Sequence, residues 1–340
     1  MYFSFYGFVF FINIIFTFAI FTPTGRYFHS SVLVDRKLYF SGGIEFPSIN
    51  SNKFFYLDVS KPFNITDDVS IPWVDLTSTS SPSKYQDTAC IGGNNHDQIF
   101  VLGGLPYNQS FVIQFDSSKQ LWINITSTVN VPTNRYDISC TNFNNGLIAI
   151  FSGYSSSSTI ANDLWILNTL ALSWSLSNGT NAPLSRFGYC AITLPNDNIL
   201  YIGGSSPANL SVYMPMNNLP LYNTKSDAWT NMSISGPTPP VRRYFSAVLS
   251  MFANLTSSSR IFILDVSRKD YYKWITEFTP NTTISNNANP TSNINPANTI
   301  SSSTNTVVSD FKNLGLIIGA TIGGVIFLIF LVASCIVTIK

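Results

Sequence analysis

The sequence predicts an all-β, radially repeated fold followed by one membrane-spanning helix. Two observations carry the first half. Four apolar strands end abruptly in glycine, "KLYFSGG" at Gly43, "QIFVLGG" at Gly104, "LIAIFSG" at Gly153 and "ILYIGG" at Gly204. A tryptophan also recurs about every 50 residues, the range in which propeller blades fall. The second half rests on 314–339, 26 residues without a charge, against the roughly 20 needed to cross a bilayer.

Each glycine-ended strand is preceded by a basic-aromatic pair: Arg26-Tyr27, Lys84-Tyr85, Arg135-Tyr136 and Arg186-Phe187. From the basic residue to the first position of the glycine pair takes 16, 19, 17 and 17 residues, giving Gly42-Gly43, Gly103-Gly104, Ser152-Gly153 and Gly203-Gly204. An apolar strand ending in Asp or Asn follows, and from Asp116, Asn168 and Asn223 it is six positions each time to Trp122, Trp174 and Trp229. The first copy is looser, with "FYLDV" at 55–59 and its tryptophan at Trp73. Short strands with no amphipathic helix between them argue for radially repeated antiparallel sheets. Glycine at a strand end lets backbones approach closely or take φ > 0. The basic residue is expected to tie blades together by donating to backbone carbonyls. The three regular tryptophans are expected to be buried between blades. No Gly-x-x-x-x-Gly-Lys follows any pair, so the glycines are not a phosphate cradle.

The fifth copy is incomplete. Arg242-Arg243-Tyr244 opens it and "RIFILDV" leads to Trp274, but no Gly-Gly intervenes, and most of one strand is missing. Trp274 is therefore the expected test of whether the ring closes there.

The opening "RYFHSS" at 26–31, the Gly-Gly strand end, the Tyr/Leu-Asp strand end and the tryptophan, in fixed order, resemble the kelch repeat. The likeness spans about residues 25–278 and extends to the kelch propellers of galactose oxidase and of attractin-like proteins. It implies four-stranded blades of a β-propeller, with about five recognisable repeats.

Residues 1–21 carry no charge and read as a secretory signal, with an uncleaved anchor as the alternative. The expected order is signal 1–21, propeller 22–278, a Ser/Thr/Asn-rich stalk 279–313, and a transmembrane helix 314–339. That makes a single-pass type I protein with its propeller outside, at the plasma membrane. Sequons at Asn64, Asn108, Asn124, Asn178, Asn209, Asn231, Asn254 and Asn281 all fall between the two apolar segments. Gly315, Gly319 and Gly323 would share one face of the helix and could support self-association. Cys90, Cys140 and Cys190 sit in apolar runs and are read as small buried hydrophobes in preference to a disulfide framework.

Charged residues make up 10% of the chain and the net charge is +1, which removes the electrostatic case for nucleic acid. The resemblance to galactose oxidase raises copper chemistry, which there needs two His and two Tyr. This chain has only His29, at a repeat position shared with Asp87, Ile138, Tyr189 and Phe245, and His96, in a polar turn. Asp67-Asp68 are adjacent, an arrangement in which side chains usually point apart, and are read as a solvated loop, while Asp87 and Asp137 are expected near blade openings, where loops gather on one face. No catalytic residue, cofactor or metal is expected. The reading is a membrane-anchored module binding a protein or glycan, with an extracellular carbohydrate-active enzyme as the alternative.

Overall fold

Five four-stranded blades, each antiparallel within itself, surround a central axis in the computed structural model, which describes residues 21–60, 62–64, 71–126, 130–143, 146–155, 161–250, 261–268, 271–276 and 316–321. Blades 4 and 5 are joined into one eight-stranded sheet by a parallel pairing of Ile234 and Ser235 with Tyr272 and Lys273. From inside to outside, blade 1 is Ser30–Val34, Lys37–Ser41, Phe54–Asp58 and Trp73–Asp75. Blade 2 is Tyr85–Gly92, Gln98–Leu105, Val112–Asp116 and Leu121–Ile125. Blade 3 is Cys140–Phe143, Leu147–Phe151, Leu164–Asn168 and Ser173–Leu176. Blade 4 is Cys190–Thr193, Ile199–Ile202, Asn218–Asn223 and Ala228–Ser235. In these four, sequence order is spatial order.

The strand-ending Asp or Asn makes the turn that follows. Asp116 Oδ1 accepts from the Ser118 and Lys119 amides at 3.1 and 3.0 Å, Asn168 Oδ1 from Leu170 and Ala171 at 2.9 Å each, and Asn223 Oδ1 from Lys225 and Ser226 at 3.0 and 3.1 Å. These are Asx turns, in which a short side chain replaces a backbone acceptor and reverses the strand.

The first glycine of each pair answers to the neighbouring blade. A Cβ on Gly42 would lie 2.1 Å from the Lys84 carbonyl oxygen, and one on Gly103 2.4 Å from that of Arg135. The amide of the next residue then bonds across: Gly43 to Lys84 O at 2.7 Å, Gly153 to Arg186 O at 3.0 Å, and Gly204 to Arg242 O at 2.9 Å. Blades are thus joined through the carbonyl of the basic residue, not its side chain, which corrects the sequence expectation. The guanidinium works within its own blade. Arg26 Nη1 donates to Gly42 O at 3.0 Å, Arg135 Nη1 to Ser152 O at 3.2 Å, and Arg186 Nη1 to Gly203 O at 3.4 Å. Glu45 and Asp163 add ion pairs to Arg26 and Arg135. Ser152 replaces glycine at φ 55° because its hydroxyl accepts from the Arg186 amide at 2.8 Å and donates to Ala161 O at 2.8 Å.

Apolar clusters fill the interfaces between blades 1 and 2, 2 and 3, 3 and 4, and 4 and 5. Each later tryptophan packs toward the preceding blade. Trp122 meets Phe54 at 4.8 Å, Trp174 meets Phe111 at 5.9 Å, and Trp229 meets Phe151 at 4.9 Å. Trp174 and Trp229 are buried, whereas Trp122 is only partly so, held by its Nε1–H on Thr79 Oγ1 at 3.1 Å. Trp274 is buried between blades 4 and 5 and donates to Met216 O at 2.7 Å. Its burial therefore reports on that interface and does not test ring closure, as the sequence reading supposed.

Cys90 and Cys140 form a disulfide between the innermost strands of blades 2 and 3, with Cα atoms 6.2 Å apart. The expectation of unbridged cysteines is corrected here. A separation of 50 residues is one repeat, so the two fall on facing positions of adjacent blades. Cys190, one repeat further on, is buried and free.

Blade 5 departs most from the reading. Its strands, inside to outside, are Phe245–Ser250, Leu316–Thr321, Ile261–Arg268 and Tyr271–Ile275. The missing second strand is supplied from within 314–339, where a transmembrane helix was expected. With Leu316–Thr321 extended, Gly319 lies in a strand and cannot share a helix face with Gly315 and Gly323, which lie outside the described residues. An apolar run of Ile, Leu and Gly is equally compatible with a buried strand, and periodicity alone does not separate the two. Among the described residues no helix is long and apolar enough to cross a membrane. The signal at 1–20, the stalk 279–313 and the rest of 314–339 lie outside the described residues.

Candidate binding face

Five residues with positive φ, each two places after a basic residue of the repeat, line the axis: Phe28, Gln86, Asp137, Gly188 and Tyr244, at 57, 56, 56, 61 and 55°. Their backbones form a chain of bonds around it. The Gln86 amide donates to Phe28 O at 2.9 Å, Asp137 to Gln86 O at 3.0 Å, Gly188 to Asp137 O at 2.9 Å, and Tyr244 to Gly188 O at 2.8 Å. An edge-to-face contact of 5.8 Å between Tyr244 and Phe28 brings the last blade back to the first. Five blades complete the circle at the axis.

Above this ring the blade openings and the loops after the glycine pairs share one face, and aromatic side chains form a belt on it. Tyr107 lies 6.2 Å from Tyr136, which stacks on Tyr154 at 5.2 Å. Tyr154 meets Phe187 at 4.6 Å, and Phe187 meets Tyr244 at 6.1 Å. The Arg243 guanidinium sits over Phe187, Tyr213 and Tyr244 at 5.3, 5.6 and 5.4 Å, within cation–π range of all three. Tyr27, Tyr107 and Tyr213 are exposed, Tyr136, Tyr154 and Tyr244 are half-buried, and Phe187, which links Tyr154 to Tyr244, is buried beneath them.

One carboxylate anchors the belt. Asp137 accepts from Gln86 Nε2 at 3.0 and 3.1 Å and from the Tyr244 hydroxyl at 2.8 Å. Burial pushes its pKa up to about 6, against the opposing hydrogen bonds of Tyr244 and Gln86 and the charge of Arg243. Tyr244 is raised in turn, first by burial and then by Asp137. A rigid surface of rings around a few fixed polar groups is suited to recognition, since rings offer contact area at low entropic cost.

The candidate chemistry weighed in the sequence is dispersed. His29 is half-buried against Gly43, and desolvation of its ring together with the charge of Arg26 lowers its pKa to about 4. His96 is exposed in a turn on blade 2. Among the described residues no group of three or more His, Cys, Asp or Glu side chains is placed to hold a metal. Asp67 and Asp68 lie outside the described residues. The sequons at Asn64, Asn108, Asn124, Asn178, Asn209 and Asn231 are all exposed, while Asn254 and Asn281 lie outside the described residues. Sequence reasoning missed the belt, and the tyrosines that follow the glycine pairs were the available signal.

Asp87, one residue past the axis ring, packs against Gly104, and burial pushes its carboxyl up to about 7. Because the folded pKa exceeds the unfolded one of roughly 3.9, the native chain keeps a proton that the unfolded chain has released. Stability from this group is therefore full below about pH 4 and is lost as pH rises toward 7. We expect Asp87→Asn to be more stable than the parent at pH 8, by up to about 4 kcal/mol. The advantage should shrink as pH falls to 4, read by urea unfolding at each pH. An advantage independent of pH would contradict a titrating Asp87.

The KLHDC2/KLHL20/DRC7 Kelch-repeats domain matches residues 29–264 of this chain. Kelch domain-containing protein 3 of Bos taurus and of Homo sapiens are each 25% identical to it over 202 residues, covering 55% of this chain and 49% of theirs. Rho GTPase-activating protein gacHH of Dictyostelium discoideum is 26% identical over 163 residues, covering 46% of this chain and 10% of that protein. The chain spans about half the length of the first two relatives and a tenth of the third. With the family match running from the opening of blade 1 to the third strand of blade 5, the chain belongs to the kelch-repeat family.

Proposed function

We propose that this chain is a non-catalytic protein-binding module that engages its partner through the aromatic belt, on the extracytoplasmic side of a membrane. Kelch-repeat domains are protein-binding modules. The belt from Tyr107 through Tyr244, with Arg243 and Asp137 fixed inside it, is the observation that carries the choice of face. The Cys90–Cys140 disulfide supports an oxidising compartment. Six exposed sequons support the same side.

The test uses the full chain in mild detergent against a phage-displayed peptide library and, in parallel, a glycan array. Peptide binding should fall at least about ten-fold in Tyr154→Ala and in Arg243→Ala, as for aromatic and Arg anchors at interfaces. It should not change in Leu170→Ala, an exposed residue in a turn on the opposite face. Peptide hits indifferent to both belt substitutions would sink the assignment of the face. Binding to glycans alone would replace the protein partner by a carbohydrate.

A further inference from the structure

We propose that blade 5 contains a strand-acceptor site between Phe245–Ser250 and Ile261–Arg268, and that its resident ligand is this chain's own segment Leu316–Thr321, delivered across the 40 residues that follow Ile275. The segment then belongs to the propeller, not to a membrane helix or a spacer.

The register is continuous on both sides. Toward the axis, Phe245, Ala247 and Ser250 pair with Thr321, Gly319 and Leu316. Toward the rim, Ile261, Ile263 and Asp265 pair with Ala320, Ile318 and Leu316. Both pairings are antiparallel, as in the other four blades. Among the described residues, Phe245–Ser250 joins its sheet through this segment alone. Without it, the innermost strand of blade 5 and the adjoining edge of Ile261–Asp265 would each present a row of unpaired backbone groups, an open template for another strand. Strand addition to such an edge is a general mode of peptide capture.

The segment runs into Ile322-Gly323-Gly324, the same tripeptide as Ile202-Gly203-Gly204 of blade 4. The two are offset by two residues: Cys190, four places after Arg186, pairs with Ile202, whereas Ser246, four places after Arg242, pairs with Ala320. Closing a long connection carries little extra penalty, because loop entropy grows only as the logarithm of length.

One consequence concerns the membrane. With Leu316–Thr321 in the blade, 322–339 remain, 18 residues without a charge. As a helix they would be about 27 Å long, within the range that crosses a bilayer.

Engineered cysteines test the register in the full chain, with Cys190 and Cys335 replaced by Ala. Ser246→Cys with Ala320→Cys places two thiols at paired positions, whereas Ser246→Cys with Ile318→Cys is offset by two residues on the same strand. After mild oxidation, linked peptides are counted by mass spectrometry from the monomer band. Tryptophan fluorescence checks that both variants fold. The paired variant should cross-link at least five-fold more than the offset one, within one chain. Equal yields, or none in a folded protein, would overturn the acceptor site. Cross-links confined to a dimer band would overturn the resident ligand and assign the strand to a second copy.

Discussion

Gly42→Ala is expected to be among the most destabilising single substitutions in the chain. At φ 63° any L side chain is strained by roughly 1–2 kcal/mol, and here the added carbon would also stand 2.1 Å from the Lys84 carbonyl oxygen. That oxygen accepts the Gly43 amide and so joins blade 1 to blade 2. It cannot withdraw without breaking the bond that holds the two together. A loss of at least about 3 kcal/mol follows, a large part of the 5–15 kcal/mol that typically separates folded from unfolded states. Ser152→Ala is the instructive comparison. The backbone there already carries a Cβ, so only the hydroxyl is lost, leaving the Arg186 amide without its acceptor at about 1–3 kcal/mol. Urea unfolding of both variants should show the larger loss at Gly42. Equal losses would mean that blade contact, not side-chain chemistry, sets the requirement at both positions.

That comparison shows which parts of the molecule could be read from residues alone. Glycine pairs, Asx residues and tryptophans recur because each repeat needs the same turn, the same close approach and the same interface, so the period exposes them. The belt recurs less regularly. Tyr136 and Phe187 occupy the second position of their repeats, Tyr244 and Asp137 the third, Tyr107 comes from a loop and Tyr154 from the short strand Tyr154–Ser155. Aligning repeats shows the recurring aromatic at the second position but averages away Asp137, Tyr244 and the tyrosines after the glycine pairs, because those parts of a binding face differ between blades. The Cys90–Cys140 bridge was legible in principle, since only a spacing of one period puts two side chains on facing strands. Leu316–Thr321 was not, because an apolar run of this kind suits a blade strand and a membrane segment alike.

The openness of the ring toward its rim is tested at Trp73. Trp229 and Trp274 are 4% and 3% exposed, each enclosed by its own blade and the preceding one. Their replacement by Ala should cost about 3–5 kcal/mol, the usual range for a core aromatic. Blade 1 has no predecessor in sequence. Its Trp73 is only partly buried, against Phe40 and Phe55 of the same blade at 5.7 and 5.6 Å. What covers that face is local: Phe21 lies 5.5 Å from Phe55, and the Arg26 guanidinium sits 4.7 Å above the same ring. The buried apolar clusters of the described residues lie at the other four interfaces, and blades 5 and 1 meet at the axis through Tyr244 and Phe28. Trp73→Ala should therefore cost about 1–2 kcal/mol, less than half the loss at Trp229, in the same unfolding assay. An equal loss would mean that blade 5 packs over Trp73 in solution and that the ring closes along its full depth. A small one would leave the face of blade 1 as an edge that the axis contact alone holds in place.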